Sequence, residues 1–173
     1  MKRYFLIYST FLLTLVIASC QSTPDQGSTE TENDANNKIL TEIDANAPVV
    51  KLQLDAAGNT MDDMEFVQKE LTVKTGSTVH LQFNNLSTDG AMQHNFVLIE
   101  NGEADKVGSF AMQAGAENEF VPRMPEVLAH TKMLLPEENV LFIFRAPTPG
   151  TYMYICTYPG HYSKMQGMFI VTE

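Results

Sequence analysis

The sequence predicts an all-β protein, a β-sandwich of seven or eight short strands carrying one short helical flap. Three observations predict it. Apolar residues alternate with polar ones at a period of two, as Val79, Leu81 and Phe83 do against His80, Gln82 and Asn84. That is the pattern of a strand with one buried face. Turn residues punctuate such runs at short intervals: Lys74-Thr75-Gly76-Ser77, Ser87-Thr88-Asp89-Gly90 and Ala146-Pro147-Thr148-Pro149-Gly150. The stretch they fill, residues 48–173, is close to the commonest size of a single domain.

Taken in order, Val49, Val50, Leu52 and Leu54 open the domain, and a run from Phe66 through Leu71 and Val73 leads to the first turn. The alternating strand at 79–83 comes next, then a loop, then Phe96-Val97-Leu98-Ile99. In Val140-Leu141-Phe142-Ile143-Phe144 every position is apolar, so this strand is expected to be buried on both sides. Tyr152, Tyr154 and Cys156 point to one side of the following strand, and Met168-Phe169-Ile170-Val171 close the chain. Residues 103–130 break the pattern. They hold Phe110-Ala111-Met112, Phe120-Val121-Pro122 and Val127-Leu128-Ala129, and they are too long for a hairpin loop. A short helix or flap packed on the sandwich is expected there.

The N-terminus is not part of this fold. Lys2 and Arg3 precede a mostly apolar run from Tyr4 to Val16, and Ile17-Ala18-Ser19 leads into Cys20. This is the layout of a secretory signal, too short for a comfortable membrane span. Ile17-Ala18-Ser19-Cys20 resembles a bacterial lipobox, which implies a lipoprotein signal peptide over 1–19 and a lipidated Cys20. An ordinary signal peptide cut nearby, or an uncleaved anchor, is the alternative. Residues 20–47 then form an acidic stretch, with Asp25, Glu30, Glu32, Asp34, Glu42 and Asp44 against Lys38. So few apolar residues cannot offset the entropy of ordering, and the stretch reads as a flexible tether. The expected protein is a soluble head, leashed to a membrane outside the cytoplasm of a bacterium.

Net charge is −10 and no basic stripe occurs, which argues against nucleic-acid binding. The chain has 2 cysteines. With Cys20 lipidated, Cys156 has no partner. In an exported protein an odd thiol is a buried small hydrophobe, a reactive group or a metal ligand.

Its neighbours favour a ligand. The run CTYPGHYSKM at 156–165 places Cys156, His161 and Met165 within ten residues around a Pro159-Gly160 turn. His94, in MQHNFVL, starts an earlier strand. A thiolate, two imidazoles and a thioether are the donor set of a trigonal copper site with a distant axial methionine. Met168 competes with Met165 for the axial place, but it falls where the last strand has begun. His80 reads as a solvated strand residue.

The run CTYPGHYSKMQG resembles the ligand loop of azurins and auracyanins, blue copper proteins of the cupredoxin family. Three further segments are similar to that family: GNTMDDMEFVQKELTV at 58–73, MQHNFVLIE at 92–100 and VLAHTK at 127–132. The resemblance covers about residues 48–173 and implies a cupredoxin-like Greek-key sandwich with one type 1 copper. His94 and His161 would give imidazole nitrogens, Cys156 the thiolate and Met165 the axial sulfur. Gln93 stands where the family offers a weak axial backbone carbonyl, commonly from glycine. Asn95 and Thr157 match residues that tie the ligand loops together. Met64 and Met92 match an apolar rim around His161, a surface that Pro159 and the flanking Tyr158 and Tyr162 would extend and over which redox partners would approach. His130 matches a surface histidine and is given no chemistry. The family disulfide has no counterpart here, and Phe96 stands where azurins often bury a tryptophan.

The function implied is single-electron transfer between redox partners, such as c-type cytochromes or membrane redox complexes, without a small-molecule substrate. A copper enzyme with a second, three-histidine copper would need more than the 4 histidines present, two of which are used. Copper storage or delivery is the alternative; the 10 methionines invite it, but they are scattered and form no Met-x-x-Met cluster.

Overall fold

The computed structural model describes Leu40 and residues 42–173. The signal peptide, Cys20 and most of the tether therefore lie outside the described residues. Among the described residues, no helix is long and apolar enough to cross a membrane.

Among the described residues, nine strands form two packed sheets. They are β1 (Val49–Ala57), β2 (Glu65–Phe66), β3 (Glu70–Lys74), β4 (Thr78–Asn85), β5 (Val97–Glu100), β6 (Val127–His130), β7 (Asn139–Arg145), β8 (Gly150–Ile155) and β9 (Gln166–Thr172). One sheet has the order β2-β1-β4-β7 and the other β3-β9-β8-β5-β6. Sequence neighbours thus switch sheets repeatedly. Two of the pairings, β1 with β4 and β3 with β9, are parallel.

The inward faces follow the period-two pattern. Leu54, Phe66, Leu81, Phe83, Phe96, Phe144, Tyr154 and Phe169 are fully buried in one core. Phe96 packs beside Phe144 and Tyr154, with ring centroids 6.1 and 5.6 Å away. Such tilted aromatic contacts add to what burial alone contributes.

Three expectations need correcting. The single run expected over 66–73 is two strands: β2 pairs with β1, and the chain then crosses to the other sheet, where β3 pairs with β9. Val127–His130, expected within the flap, is a strand paired with β5. These changes bring the count to nine. The third correction concerns β7, where Leu141 is 52% exposed and Ile143 37%. β7 ends its sheet and has the opposing sheet on one face only, so Phe144 is buried and its neighbours face outward.

The flap is a helix, α1 (Ala104–Ala114), followed by a 3-10 turn at Ala116–Asn118. Ala104, Val107 and Ala111 line its buried side. Ala104 and Val107 join Val97, Ile99, Val127 and Ile155 in a second small core on the outer face of the β5–β6–β8 sheet. Before β1, Leu40 is buried in the main core although it sits in the stretch expected to be a polar tether. Leu40 lines a cavity with Gly76, Leu128, Ala146 and Tyr152, at the end of the sandwich where β8 begins.

Candidate metal centre

The opposite end of the sandwich is where β8 finishes and β9 starts. Cys156 directly follows β8, and its N–H donates to the Met165 carbonyl at 3.1 Å, as the chain turns back into β9. Between them the loop is one tight turn. His161 N–H donates to Tyr158 O at 3.0 Å, and the N–H groups of Lys164 and Met165 donate to His161 O at 3.0 and 2.9 Å. Gly160 has φ +84°, a left-handed conformation that favours glycine. Proline and glycine in succession thus make the turn, and the turn fixes Cys156 and His161 relative to one another.

His94 arrives from a distant part of the chain, just before β5. It exchanges two backbone hydrogen bonds with Leu134: His94 N–H to Leu134 O at 3.1 Å, and Leu134 N–H to His94 O at 2.8 Å.

Cys156, His94 and His161 meet. Cys156 Sγ lies 3.7 Å from the Nδ1 of each histidine, and the two Nδ1 atoms are 3.2 Å apart. All three residues are wholly buried. Among the described residues, this is the group of histidine, cysteine and acidic side chains able to hold a metal ion. A single ion about 2 Å from each donor, the ordinary metal–nitrogen distance, fits inside a triangle with those edges.

The electrostatics suit a cation. Burial lowers the pKa of His94 to about 3, with the neighbouring His161 as a smaller cause. Burial likewise lowers His161 to about 4 and pushes the Cys156 thiol up to about 12. Both rings are therefore neutral near pH 7, and each has one bare nitrogen. With no cation the thiol keeps its proton; a metal ion displaces that proton and reverses the cost of burying the charge. Two imidazoles and a sulfur facing one another in an apolar interior have few other uses.

The surrounding hydrogen bonds hold the two halves together. Asn95 Nδ2 donates to Thr157 Oγ1 at 2.8 Å and to Glu119 O at 3.0 Å, while Thr157 N–H donates to Asn95 Oδ1 at 2.8 Å. Met165 is fully buried in the main core next to the ligand turn. Gln93 is half-buried beside His94. Met168 lies within β9. His80, on β4, and His130, at the end of β6, stand apart from the three-residue group.

The rim expected around His161 differs in its methionines. Met64 and Met92 are only 3% and 5% exposed and belong to the core. A hydrogen bond from Met64 N–H to Thr60 O (3.0 Å) closes the turn before Met64, whose side chain then packs with the core. The exposed methionine at this end is Met61, whose methyl carbon lies 3.1 Å from where a Cβ on Gly160 would stand. Pro159, Tyr158 and Tyr162 are half-buried.

Sequence reasoning missed Met61, Ser87, Asn85 and Lys164. Lys164 Nζ donates to Met61 O at 2.7 Å. Asn85 Nδ2 donates to Met92 O and Leu134 O at 2.8 and 3.2 Å, bracketing His94. None has a motif of its own; only the position of Lys164 inside the ligand turn could have drawn attention.

Residues 51–172 match the plastocyanin/azurin family of copper-binding proteins. The chain belongs to that family. Auracyanin-A of Chloroflexus aurantiacus is 37% identical over 117 residues, covering 66% of this chain and 71% of the relative. Azurin of Achromobacter denitrificans is 34% identical over 130 residues, covering 71% and 87%. Among solved structures, dithionite-reduced auracyanin from the photosynthetic bacterium Roseiflexus castenholzii superposes with a TM-score of 0.64 at 37% identity, covering 73% of this chain and all of that one. The buried His94–Cys156–His161 group is accordingly the site of one type 1 copper in this plastocyanin/azurin family member.

Proposed function

We propose that the protein is a type 1 copper electron carrier working outside the cytoplasm, passing single electrons between redox proteins. The observation that carries this reading is the closure of the site: three donors converge on one point, each wholly buried. Copper supplies a one-electron couple whose reduced form favours soft sulfur and whose oxidised form accepts nitrogen. What the chain does is hold these donors still. Cys156 and His161 are locked by their turn and His94 by its bridge to Leu134, so an electron can come and go with little rearrangement. Met165, buried beside the ligand turn, would offer its thioether sulfur to a copper held by these three residues, and Gln93 its backbone carbonyl. Partners would approach over Pro159, Tyr158 and Met61; c-type cytochromes and membrane redox complexes are of the expected kind. No small-molecule substrate is required, and an enzymatic role is not part of this reading.

Cupric ion added to the metal-free protein should give intense blue absorption from thiolate-to-copper charge transfer. Cys156→Ser should abolish it, whereas Met165→Leu should keep the colour and raise the reduction potential by removing an electron-rich sulfur. Blue colour surviving Cys156→Ser would overturn the assignment. Voltammetry with a chelator present separates carriage from storage or delivery: a carrier cycles without losing copper, and loss on reduction would favour delivery.

We also propose that residues 1–19 are a lipoprotein signal and that lipid on Cys20 tethers the 48–173 head to a membrane of the cell envelope. Fatty-acid labelling of the expressed protein should be lost in Cys20→Ala, with the protein released from membranes. Label retained in that variant would sink the anchor.

A further inference from the structure

We infer that Ser87 is a positioning residue for the metal centre: its hydroxyl holds the His94 ring in the tautomer whose bare Nδ1 faces Cys156 and His161. This rests on the copper reading above.

Proton counting carries the argument. Ser87 Oγ lies 2.6 Å from the backbone carbonyl of Gly58, and a carbonyl can only accept, so the hydroxyl proton is used there. The same oxygen is 3.4 Å from His94 Nε2 and has only lone pairs left to offer. Nε2 must then carry the proton of the contact. A neutral imidazole has one N–H, which leaves Nδ1 bare. That bare Nδ1 is the atom 3.7 Å from Cys156 Sγ and 3.2 Å from His161 Nδ1.

The hydroxyl is itself fixed. Ser87 is buried, and its N–H donates to Asn85 Oδ1 at 3.1 Å. The side-chain amide of Asn85 in turn donates to the carbonyls of Met92 and Leu134. Gly58 has φ +97°, and a Cβ there would stand 2.4 Å from Asp63 O, so this carbonyl depends on glycine. Asn59 Oδ1 accepts from Thr88 N–H at 2.7 Å, joining the two loops a second time. His161 is arranged differently: its Nε2 is buried with no hydrogen-bond partner. The two ligand rings are thus unequal, and only His94 has a built acceptor behind it.

A contact of 3.4 Å is at the long end for a hydrogen bond, so its chief effect is on tautomer and orientation. An acceptor behind the N–H also makes the ring a better donor to a cation. Losing it should therefore favour the reduced metal and raise the potential.

The test uses the whole cuprous protein, which is diamagnetic, with 1H–15N spectra tuned to imidazole. In the wild type, His94 should show a slowly exchanging Nε2–H. In Ser87→Ala that signal should broaden into fast exchange, cupric affinity should fall about tenfold, the low end for such outer-sphere losses, and the potential should rise. Ser87→Thr retains the hydroxyl and should restore all three. An unchanged exchange rate and potential in a folded, copper-loaded Ser87→Ala would mean that Ser87 only fills space. Should the alanine variant not fold, the wild-type protein still decides: an Nδ1–H tautomer of His94 in the metal-free protein, or a rapidly exchanging Nε2–H in the cuprous one, overturns the inference. The copper reading fails separately, as cupric wild-type protein without blue absorption.

Discussion

The two histidines of this metal centre reach it by opposite means. His161 is placed by its own neighbours: a ten-residue turn whose internal hydrogen bonds run from Cys156 to Met165. His94 is placed by residues far along the chain, through Leu134, Asn85 and the contact between Ser87 and Gly58. The first arrangement is local and costs little chain entropy to close; the second exists only once both sheets have packed. A rigid site assembled from one local and one long-range half cannot form before the fold does. That is a physical reason for a β scaffold around a single ion.

The strongest way to break the comparison is to cut what joins the halves. Asn95 makes three hydrogen bonds at the seam, two of them with Thr157. Asn95→Ala strands the Thr157 N–H and the Glu119 carbonyl, each costing roughly 1–3 kcal/mol when buried without a partner. We expect the metal-free protein to lose about 2–4 kcal/mol in urea unfolding, and the copper protein to bind its ion about 10- to 100-fold more weakly. Equal copper affinity in this variant would show that each half holds its ligand unaided.

A smaller effect sharpens how local the ligand turn is. Tyr162 lies against α1 at Gly108, where a Cβ would come within 2.2 Å of the ring's Cγ. That atom is the root of the ring, not a mobile tip, so the tyrosine or the helix must move. Gly108→Ala should cost about 1–3 kcal/mol, as overpacked cores do, and thermal melts can measure it. A loss well below that range would mean that the turn stands free of the helix.

The same division explains what was legible in the sequence. The ligand turn could be read directly, because Cys156, His161 and Met165 all fall inside it and proline and glycine mark its bend. Strands β4, β5, β8 and β9 were legible from alternation and apolar runs. The break between β2 and β3 was not, since a strand that changes sheets keeps its apolar period. Leu141 and Ile143 misled because whether a second layer covers the outer face of a sheet is a property of topology, invisible in an apolar run. Met64 and Met92 were expected at a rim, yet the turn before Met64 and the packing around Met92 put both in the core. Ser87 had no signal, because its role depends on the Gly58 carbonyl 29 residues away.

The smallest expected effect comes from Lys164, inside the ligand turn. Its ammonium group reaches out of the turn to Met61 O at 2.7 Å, and to the carbonyl and carboxylate oxygens of Asp62 at 3.3 Å. This is a second long-range link, but an exposed one: the lysine side chain is 45% exposed and that of Asp62 is open to solvent. Exposed pairs of this kind contribute about 0–1 kcal/mol, and salt screens them. Lys164→Ala should therefore lower stability by less than about 1 kcal/mol, leave the blue absorption in place and free the loop that carries Met61. Amide exchange at Met64, whose N–H closes that loop onto Thr60 O, should quicken. If the absorption moved instead, the ligand turn would depend on a surface lysine for its geometry, and the local half of the site would not be self-sufficient.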